Sequence, residues 1–463
     1  MARSEPMEIV DIIESRKVTP SLVLLVALCF VVVCFDGFNA QVMGYVIPSL
    51  AKAWHMKPKA IPHVMGPITS AGLFGLMIGA LLLGTLGDRV GRKSIVLVST
   101  LLFGVFSLAT SFATSPGEMT VLRFLTGLGL GGAMPSVIAL VSEFVSKRIR
   151  ATVVTMVVTG FAVGPAVGGL LAGPLMHSYG WSVMFLVGGV VPLLVAPLLW
   201  LVLPESSRFL SRSNAPAAKI VANLRRVYPE LKFPDDVQFD HADGRLPKAA
   251  VRDIFADGRA PGTLLMWFAI FLNLVGLNLQ TSWLPTIITG LGFPYSVAIT
   301  TLVMFHTGGA LGGFVLSRFL DQFDHFRVVA VTFILAGLMI VLIGFAPHSI
   351  LMLRLAIFGA GLFVVGGQSA LNALTGLFYP SHIRSTGSGW ALGVGRLGAA
   401  VGPMVGSSLL AMNLGFKNLF YVEAAPFILA AVAVGLIGMV RSGRRAAAVP
   451  AVATPARAST LKG

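Results

Sequence analysis

The sequence predicts an all-α membrane protein, with twelve transmembrane helices arranged as two pseudo-symmetric six-helix bundles. Three observations carry that expectation. The first is composition: of 463 residues, 56% are hydrophobic and only 11% charged, against about 25% charged in ordinary soluble domains. The second is a series of twelve apolar runs that reach the roughly 17–25 residues needed to cross a bilayer. They cover 21–47, 64–87, 94–114, 118–142, 150–176, 181–203, 263–289, 296–319, 327–347, 349–377, 384–411 and 417–440.

The third is a repeat half a chain apart. Residues 79–93 align with 312–326 at an offset of 233, which sets Asp88 on Asp321 and Arg92 on His325. Arg150-Ala151-Thr152 matches Arg384-Ser385-Thr386 at an offset of 234, and Pro48 matches Pro285 at 237, laying Asp36 over Asn273. One six-span unit is thus used twice in the same orientation. Paired halves with a binding site near the midplane of their interface are an arrangement of many secondary transporters.

The runs divide the chain into a cytoplasmic lead (1–20), a first bundle (21–203), a polar linker (204–262), a second bundle (263–440) and an Ala/Pro-rich tail (441–463). A short helix is expected within the linker near 217–227. The net charge of +15 does not indicate a nucleic-acid partner, because its distribution follows topology. With both termini cytoplasmic, four of the 34 Lys and Arg lie outside (Lys52, Lys57, Lys59, Lys417) and three lie within spans (Arg123, Arg354, Arg396). The other 27 are cytoplasmic, the asymmetry that sets orientation in a bacterial inner membrane. No cleavable signal peptide is expected, since residues 1–20 are polar and the following run is too long for a signal core. Cys29 and Cys34 fall on different faces of one span, so neither a disulfide nor a metal site is indicated.

Taken in order, span one carries Asp36 about halfway along its length. An ionised Asp at that depth costs roughly 2.5–3.5 kcal/mol even on lenient insertion scales, so it needs a cavity, a partner charge or a proton path. The span is expected to end near Pro48. Span two carries Gly72, Gly75 and Gly79 at helical spacing, which permits close helix packing. It leads into Gly84-Thr85-Leu86-Gly87-Asp88-Arg89-Val90-Gly91-Arg92-Lys93, a tight turn bearing a charged cluster. That cluster is either a basic anchor or a latch, and the acid with its glycine spacing favours the latch. Glu143, at the end of span four near Arg150, extends the expected cytoplasmic gate of Asp88, Arg89, Arg92, Glu143, Arg150 and Asp321.

Within span four, Arg123 is followed by Gly127 and Gly131, which leave room for a close neighbour. It is the expected partner of Asp36, either as a permanent salt bridge or as a pair that breaks when Asp36 takes a proton. On span seven Asn273, Gly276, Gln280 and Trp283 recur at three- and four-residue steps and are expected to share a face. Span eight holds His306, and span ten holds Gln368 and Asn372 four apart. The amides read equally as ligands for a polar solute or as interhelical hydrogen bonds. Trp390 reads as packing. Arg396 lies in span eleven between small residues, and its planar guanidinium suits a carboxylate. Arg354, near the outer surface, reads as a snorkelling side chain.

The turn at 84–93, Arg123-Phe124-Leu125-Thr126-Gly127-Leu128-Gly129-Leu130-Gly131-Gly132 and Pro204-Glu205-Ser206 together resemble the signatures of the major facilitator superfamily. Within it, Asp36-Gly37-Phe38, Thr281-Ser282-Trp283-Leu284-Pro285 and Gln368-Ser369-Ala370-Leu371-Asn372-Ala373-Leu374 resemble the aromatic acid:proton symporters. The resemblance implies import of a benzoate- or hydroxybenzoate-like carboxylate by proton symport, with no cofactor, no metal and a monomeric carrier. It implies proton coupling at Asp36 and Arg123, and substrate contacts from Asn39, Gln280, Trp283, His306, Gln368, Asn372 and Arg396. Two positions depart from the family pattern. Asn39 stands where a second acid is usual, and His306 where a Gln is usual. Alternatives are an exporter, a carrier of another organic acid or a sugar, and a non-transporting sensor. An integral-membrane enzyme is unsupported, because no nucleophile–base pair, metal cluster or phosphate loop occurs.

Overall fold

Twelve long helices in a computed structural model account for nearly all of the chain. The structure describes residues 18–213, 215–231, 233, 250–346, 349–380 and 382–448, with Ile13, Glu14 and Arg16; the side chains of Asp88, Ser385 and 441–448 lie outside that description. The first bundle comprises α1 (Pro20–Ala53), α2 (Ala60–Val90), α3 (Arg92–Thr110), α4 (Pro116–Phe144), α5 (Lys147–Tyr179) and α6 (Ser182–Val202). Two short linker helices follow, α7 (Ser207–Arg212) and α8 (Ala217–Val227). The second bundle comprises α9 (Ala260–Gly290), α10 (Tyr295–Gln322), α11 (His325–Gly344), α12 (Ile350–Phe378), α13 (Arg384–Ala411) and α14 (Phe416–Ala448). Twelve of these are long and apolar enough to cross a membrane, which makes this a multi-pass membrane protein. An even number of crossings puts both ends of the helical array on one side, here called the termini face.

Pro48 does not end its helix: α1 continues through it to Ala53, and Pro285 likewise lies inside α9. In hydrocarbon a helix has no competing water to satisfy a broken end, so the chain tolerates an internal proline where neighbouring helices support it. The linker helix at Ala217–Val227 forms where the sequence places it. Its Ile220, Leu224 and Val227 join Leu22, Val141 and Phe144 in the core of the first bundle. The Thr19 hydroxyl donates to Val227 O at 2.6 Å and the Tyr228 hydroxyl to Phe144 O at 2.7 Å. At its other end the linker changes allegiance, and Ile254 packs with Tyr379 and Ile383 of the second bundle.

Among the described residues, the shared core and the hydrogen bonds between the two bundles lie on one side. A continuous core runs from Val42, Tyr45, Ile47, Met65 and Met176 into Trp283, Leu302 and the rest of the second bundle. All those first-bundle residues belong to helix ends opposite the termini face. The termini-side core of the first bundle, from Leu22 to Val157 and Leu231, contains no residue of the second bundle. Hydrogen bonds agree: among the described residues, those joining the bundles are Tyr295 Oη to Tyr45 O at 2.6 Å, Tyr295 Oη to Met176 Sδ at 3.3 Å and Ser407 Oγ to Pro62 O at 2.7 Å. All lie at the opposite face. The molecule is therefore closed there and parted toward the termini.

Small residues make the closest crossings possible. A Cβ on Gly127 would strike the Gly72 carbonyl, and one on Gly75 would strike Phe124 O, so α2 and α4 are in backbone contact. At the inter-bundle seam a Cβ on Gly44 would strike Thr281 O. Without a hydrophobic drive between helices in lipid, such van der Waals fit supplies much of the association. Gly127→Ala should accordingly lower stability by about 1–3 kcal/mol through overpacking, read as an earlier thermal unfolding of the detergent-purified protein. The same change at Gly173, where an added Cβ meets nothing, should leave unfolding in place.

Candidate functional site

The site is built around Asp36, the seventeenth residue of the 34 in α1 and only 2% exposed. Its Oδ1 has no hydrogen-bond partner. The expected ion pair with Arg123 is absent from the described ion pairs. Instead Arg123 Nη2 donates to the backbone oxygen of Asn39 at 2.6 Å, and the guanidinium sits over the Phe185 ring at 5.6 Å. Its Nε and Nη1 have no partner. The charged group whose field reaches Asp36 is the Arg396 guanidinium of α13, in the other bundle; among the described ion pairs the two are not joined.

Asn39 explains why Arg123 points away. Its side-chain Nδ2 donates to Phe35 O and to Gly188 O of α6, each at 3.0 Å. Its Oδ1 accepts from Ser107 Oγ of α3 at 2.7 Å, and its backbone oxygen holds Arg123. The residue is fully buried and ties α1 to α3, α4 and α6. It is a junction inside the first bundle, with its side chain and backbone oxygen engaged by protein partners, where the sequence reading expects a substrate contact. The departure from the family pattern also has a physical content here, because a carboxylate cannot donate to two carbonyls.

The expected shared face on span seven divides among three neighbours. Asn273 Nδ2 donates to Gln368 Oε1 of α12 at 2.6 Å. Gln280 turns to α14, where its Nε2 donates to Glu423 Oε2 at 2.9 Å. Trp283 is wholly buried and its ring N–H donates to Pro403 O of α13 at 2.9 Å. Gln280 and Trp283 are thus packed inside the second bundle instead of lining the gap. A long helix in a six-helix bundle touches partners on several sides, and three- and four-residue steps drift across those sides. Gln368 goes on to donate to Asn372 Oδ1 at 2.9 Å, so Asn273, Gln368 and exposed Asn372 form a polar ladder leading toward the termini face. His306 is 3% exposed, its ring edge-on to Phe305 at 5.8 Å, with Nε2 unpartnered. Trp390, expected as packing, stacks on Trp267 at 6.0 Å while remaining 47% exposed.

At the termini face the expected gate is only partly assembled. Arg92 Nε lies 3.7 Å from Glu143 Oε1, and Ser206 Oγ lies 2.9 and 2.7 Å from the two Glu143 oxygens. Glu205 accepts from the Lys93 and Ser206 backbone N–H groups at 3.0 and 2.8 Å. Gly91 makes this turn at φ 103°, with the Glu205 carboxylate occupying the place of a side chain. Arg150 does not reach Glu143; its guanidinium donates to Val145 O at 3.1 Å. Arg89 and Asp321 stand exposed, and the Asp88 side chain lies outside the described residues. The cluster belongs to the first bundle, as a parted termini face requires.

Sequence reasoning passed over Glu423, an acid in the last apolar run that composition alone marks as costly. It also passed over Ser107, Tyr295 and Ser407, whose ordinary side chains give no sequence signal.

Two bundles of six helices that carry intramembrane charges are an arrangement of many secondary transporters. Residues 29–339 and 266–462 match the Major Facilitator Superfamily model, and the chain belongs to that superfamily. It is 38% identical to a gallate transporter of Pseudomonas putida over 97% of this chain and 98% of that one. It is 36% identical to the 4-hydroxybenzoate transporter PcaK of Pseudomonas putida over 90% of this chain and 92% of that one. A crystal structure of a D-xylose-proton symporter superposes with a TM-score of 0.69 at 17% identity, covering 89% of this chain and 97% of that one, which is a likeness of fold.

Two outcomes follow from this geometry. Asn39→Asp, which restores the usual acid, should orphan Gly188 O, whose helical donor position is held by Pro192, and cost about 1–3 kcal/mol, seen as a lowered unfolding temperature; Phe35 O keeps its helical bond. Trp283→Phe should lose about 1 kcal/mol of stability with its hydrogen bond and leave substrate affinity unchanged in a binding titration.

Proposed function

We propose that the protein imports a small aromatic carboxylate of the benzoate, hydroxybenzoate or gallate kind across the bacterial inner membrane, by proton symport through alternating access. What supports this reading is a buried, unpaired acid in one bundle, Asp36, with the guanidinium of Arg396 in the other bundle acting on it. The similarity over nearly the full chain to transporters named for gallate and 4-hydroxybenzoate supports the substrate class.

The arrangement supplies a coupling rule. With the site empty, the Asp36 carboxylate and the Arg396 guanidinium neutralise one another across the gap. A substrate carboxylate competes for the planar fork of Arg396, which it can engage through two parallel hydrogen bonds. Asp36 then loses its compensating charge, and hydrocarbon disfavours its ionised form. It takes a proton, so substrate and proton load together. The Asn273–Gln368–Asn372 ladder offers donors and acceptors to ring hydroxyls.

With both termini cytoplasmic, the parted face opens to the cytoplasm, and this structure is the inward-facing state. The Arg92–Glu143 cluster, with Arg89, Arg150 and Asp321, closes the cytoplasmic face in the opposite state. A network present in one state only biases the equilibrium by its differential energy, even though single surface pairs contribute little. Arg123 keeps two unpartnered donors close to span one and is positioned to receive Asp36 when α1 shifts.

Uptake of labelled hydroxybenzoate or gallate into proteoliposomes tests the reading. Uptake should rise with an inward proton gradient and collapse with an uncoupler; uptake indifferent to the gradient would refute proton coupling. Arg396→Lys should weaken substrate binding about tenfold or more, roughly 1.4 kcal/mol, and an unchanged affinity would remove Arg396 from the site. Asp36→Asn should abolish gradient-driven accumulation while sparing substrate exchange, and surviving accumulation would move the proton to another group.

A further inference from the structure

Glu423 lies outside the gap between the bundles and has no role in the coupling rule above. It is the eighth residue of α14, 1% exposed, about 10 Å along the helix from its end at the closed face. Its register against α9 is regular. Gly276 admits the Phe427 ring where a Cβ would collide with it, and one turn on, Gln280 meets Glu423. Gln280 Nε2 donates to Glu423 Oε2 at 2.9 Å. The other two oxygens of the pair, Glu423 Oε1 and Gln280 Oε1, are both buried and both without a partner.

Among the described residues no cation pairs with Glu423. Of the two helices packed against α14, α9 carries no ionisable side chain, and α11 carries His325 and Arg327 only at its termini-face end. On α14 itself, Lys417 lies at the helix start with its ammonium over the Phe345 ring at 4.1 Å. Tyr421 is 42% exposed. An anion would therefore stand in hydrocarbon with one hydrogen bond, and the bonded pair would carry two buried, unsatisfied acceptors. A single proton on Oε1 removes both defects: Oε1–H donates to Gln280 Oε1 while Gln280 Nε2–H continues to donate to Oε2.

We propose that Glu423 is held as a neutral carboxylic acid in a two-hydrogen-bond ring with Gln280, giving the second bundle an intramembrane proton-binding site of its own. The ring seals α9 to α14 on the side away from the gap. The proton load of the molecule is then divided, with Asp36 in the first bundle exposed to the coupling cycle and Glu423 in the second buffered by an amide.

Infrared spectroscopy of the full chain in proteoliposomes at neutral pH reads this directly and independently of transport. The expected result is a carbonyl stretch of a protonated carboxylic acid that disappears in Glu423→Gln, persists in Asp36→Asn and shifts in Gln280→Leu. Glu423→Gln can form an amide–amide ring with the same two bonds, so its fold should be kept. A Glu423→Gln spectrum that loses an ionised-carboxylate band instead, or an acid band removed by Asp36→Asn alone, overturns the proposal. If Glu423→Gln does not fold, Gln280→Leu decides: an acid band that does not move overturns the ring.

Discussion

The junction at Asn39 is the constraint on which the site depends. In a bilayer core each buried polar group needs a partner within the protein, and Asn39 meets that demand completely, with three side-chain hydrogen bonds and one through its backbone oxygen. The bond from Arg123 holds the guanidinium on the Asn39 carbonyl and over Phe185, away from the carboxylate one helical turn earlier. Asp36 is thereby left without that partner, its Oδ1 buried and unpaired. A satisfied amide and an unsatisfied acid stand one turn apart on the same helix.

The second constraint is where the bundles touch. Tyr295 and Ser407 each donate to a backbone carbonyl of the first bundle, and Gly44 brings α1 against α9. These contacts, with the shared apolar core, close the face opposite the termini. The termini-side core of the first bundle is complete without the second, and the linker helix α8 is part of it. That independence of the cores is what the proposed alternating access draws on, since repeat-built carriers rock one bundle against the other.

Much of this was readable from residues alone. The twelve spans, the repeat, the linker helix and the intramembrane Asp36, Arg123 and Arg396 all follow from hydropathy, spacing and the cost of charge in hydrocarbon. What failed were inferences about direction. Pro48 reads as a helix end, since proline breaks helices in water, yet inside a packed membrane bundle α1 passes through it. Asn273, Gln280 and Trp283 read as one face, yet each meets a different helix. The pair of Arg123 and Asp36 is a different case: it reads as one that forms and breaks with the proton on Asp36, and in this structure Arg123 holds the Asn39 carbonyl instead.

The sequence by itself determined that this chain lies in a membrane, that it is built from two copies of a six-helix unit, and which side chains are too costly to be there without purpose. Those are properties of composition and period, and they survive any arrangement of the helices. Only the tertiary structure decided which costly group faces which. Asp36 lies in the field of Arg396 from the opposite bundle without pairing with it, Arg123 meets Asn39, and Glu423 meets Gln280, because partner choice depends on helix rotation and on the few ångströms that glycine crossings allow. Hydropathy records depth in the bilayer, and it carries no information about the angle at which a side chain leaves its helix.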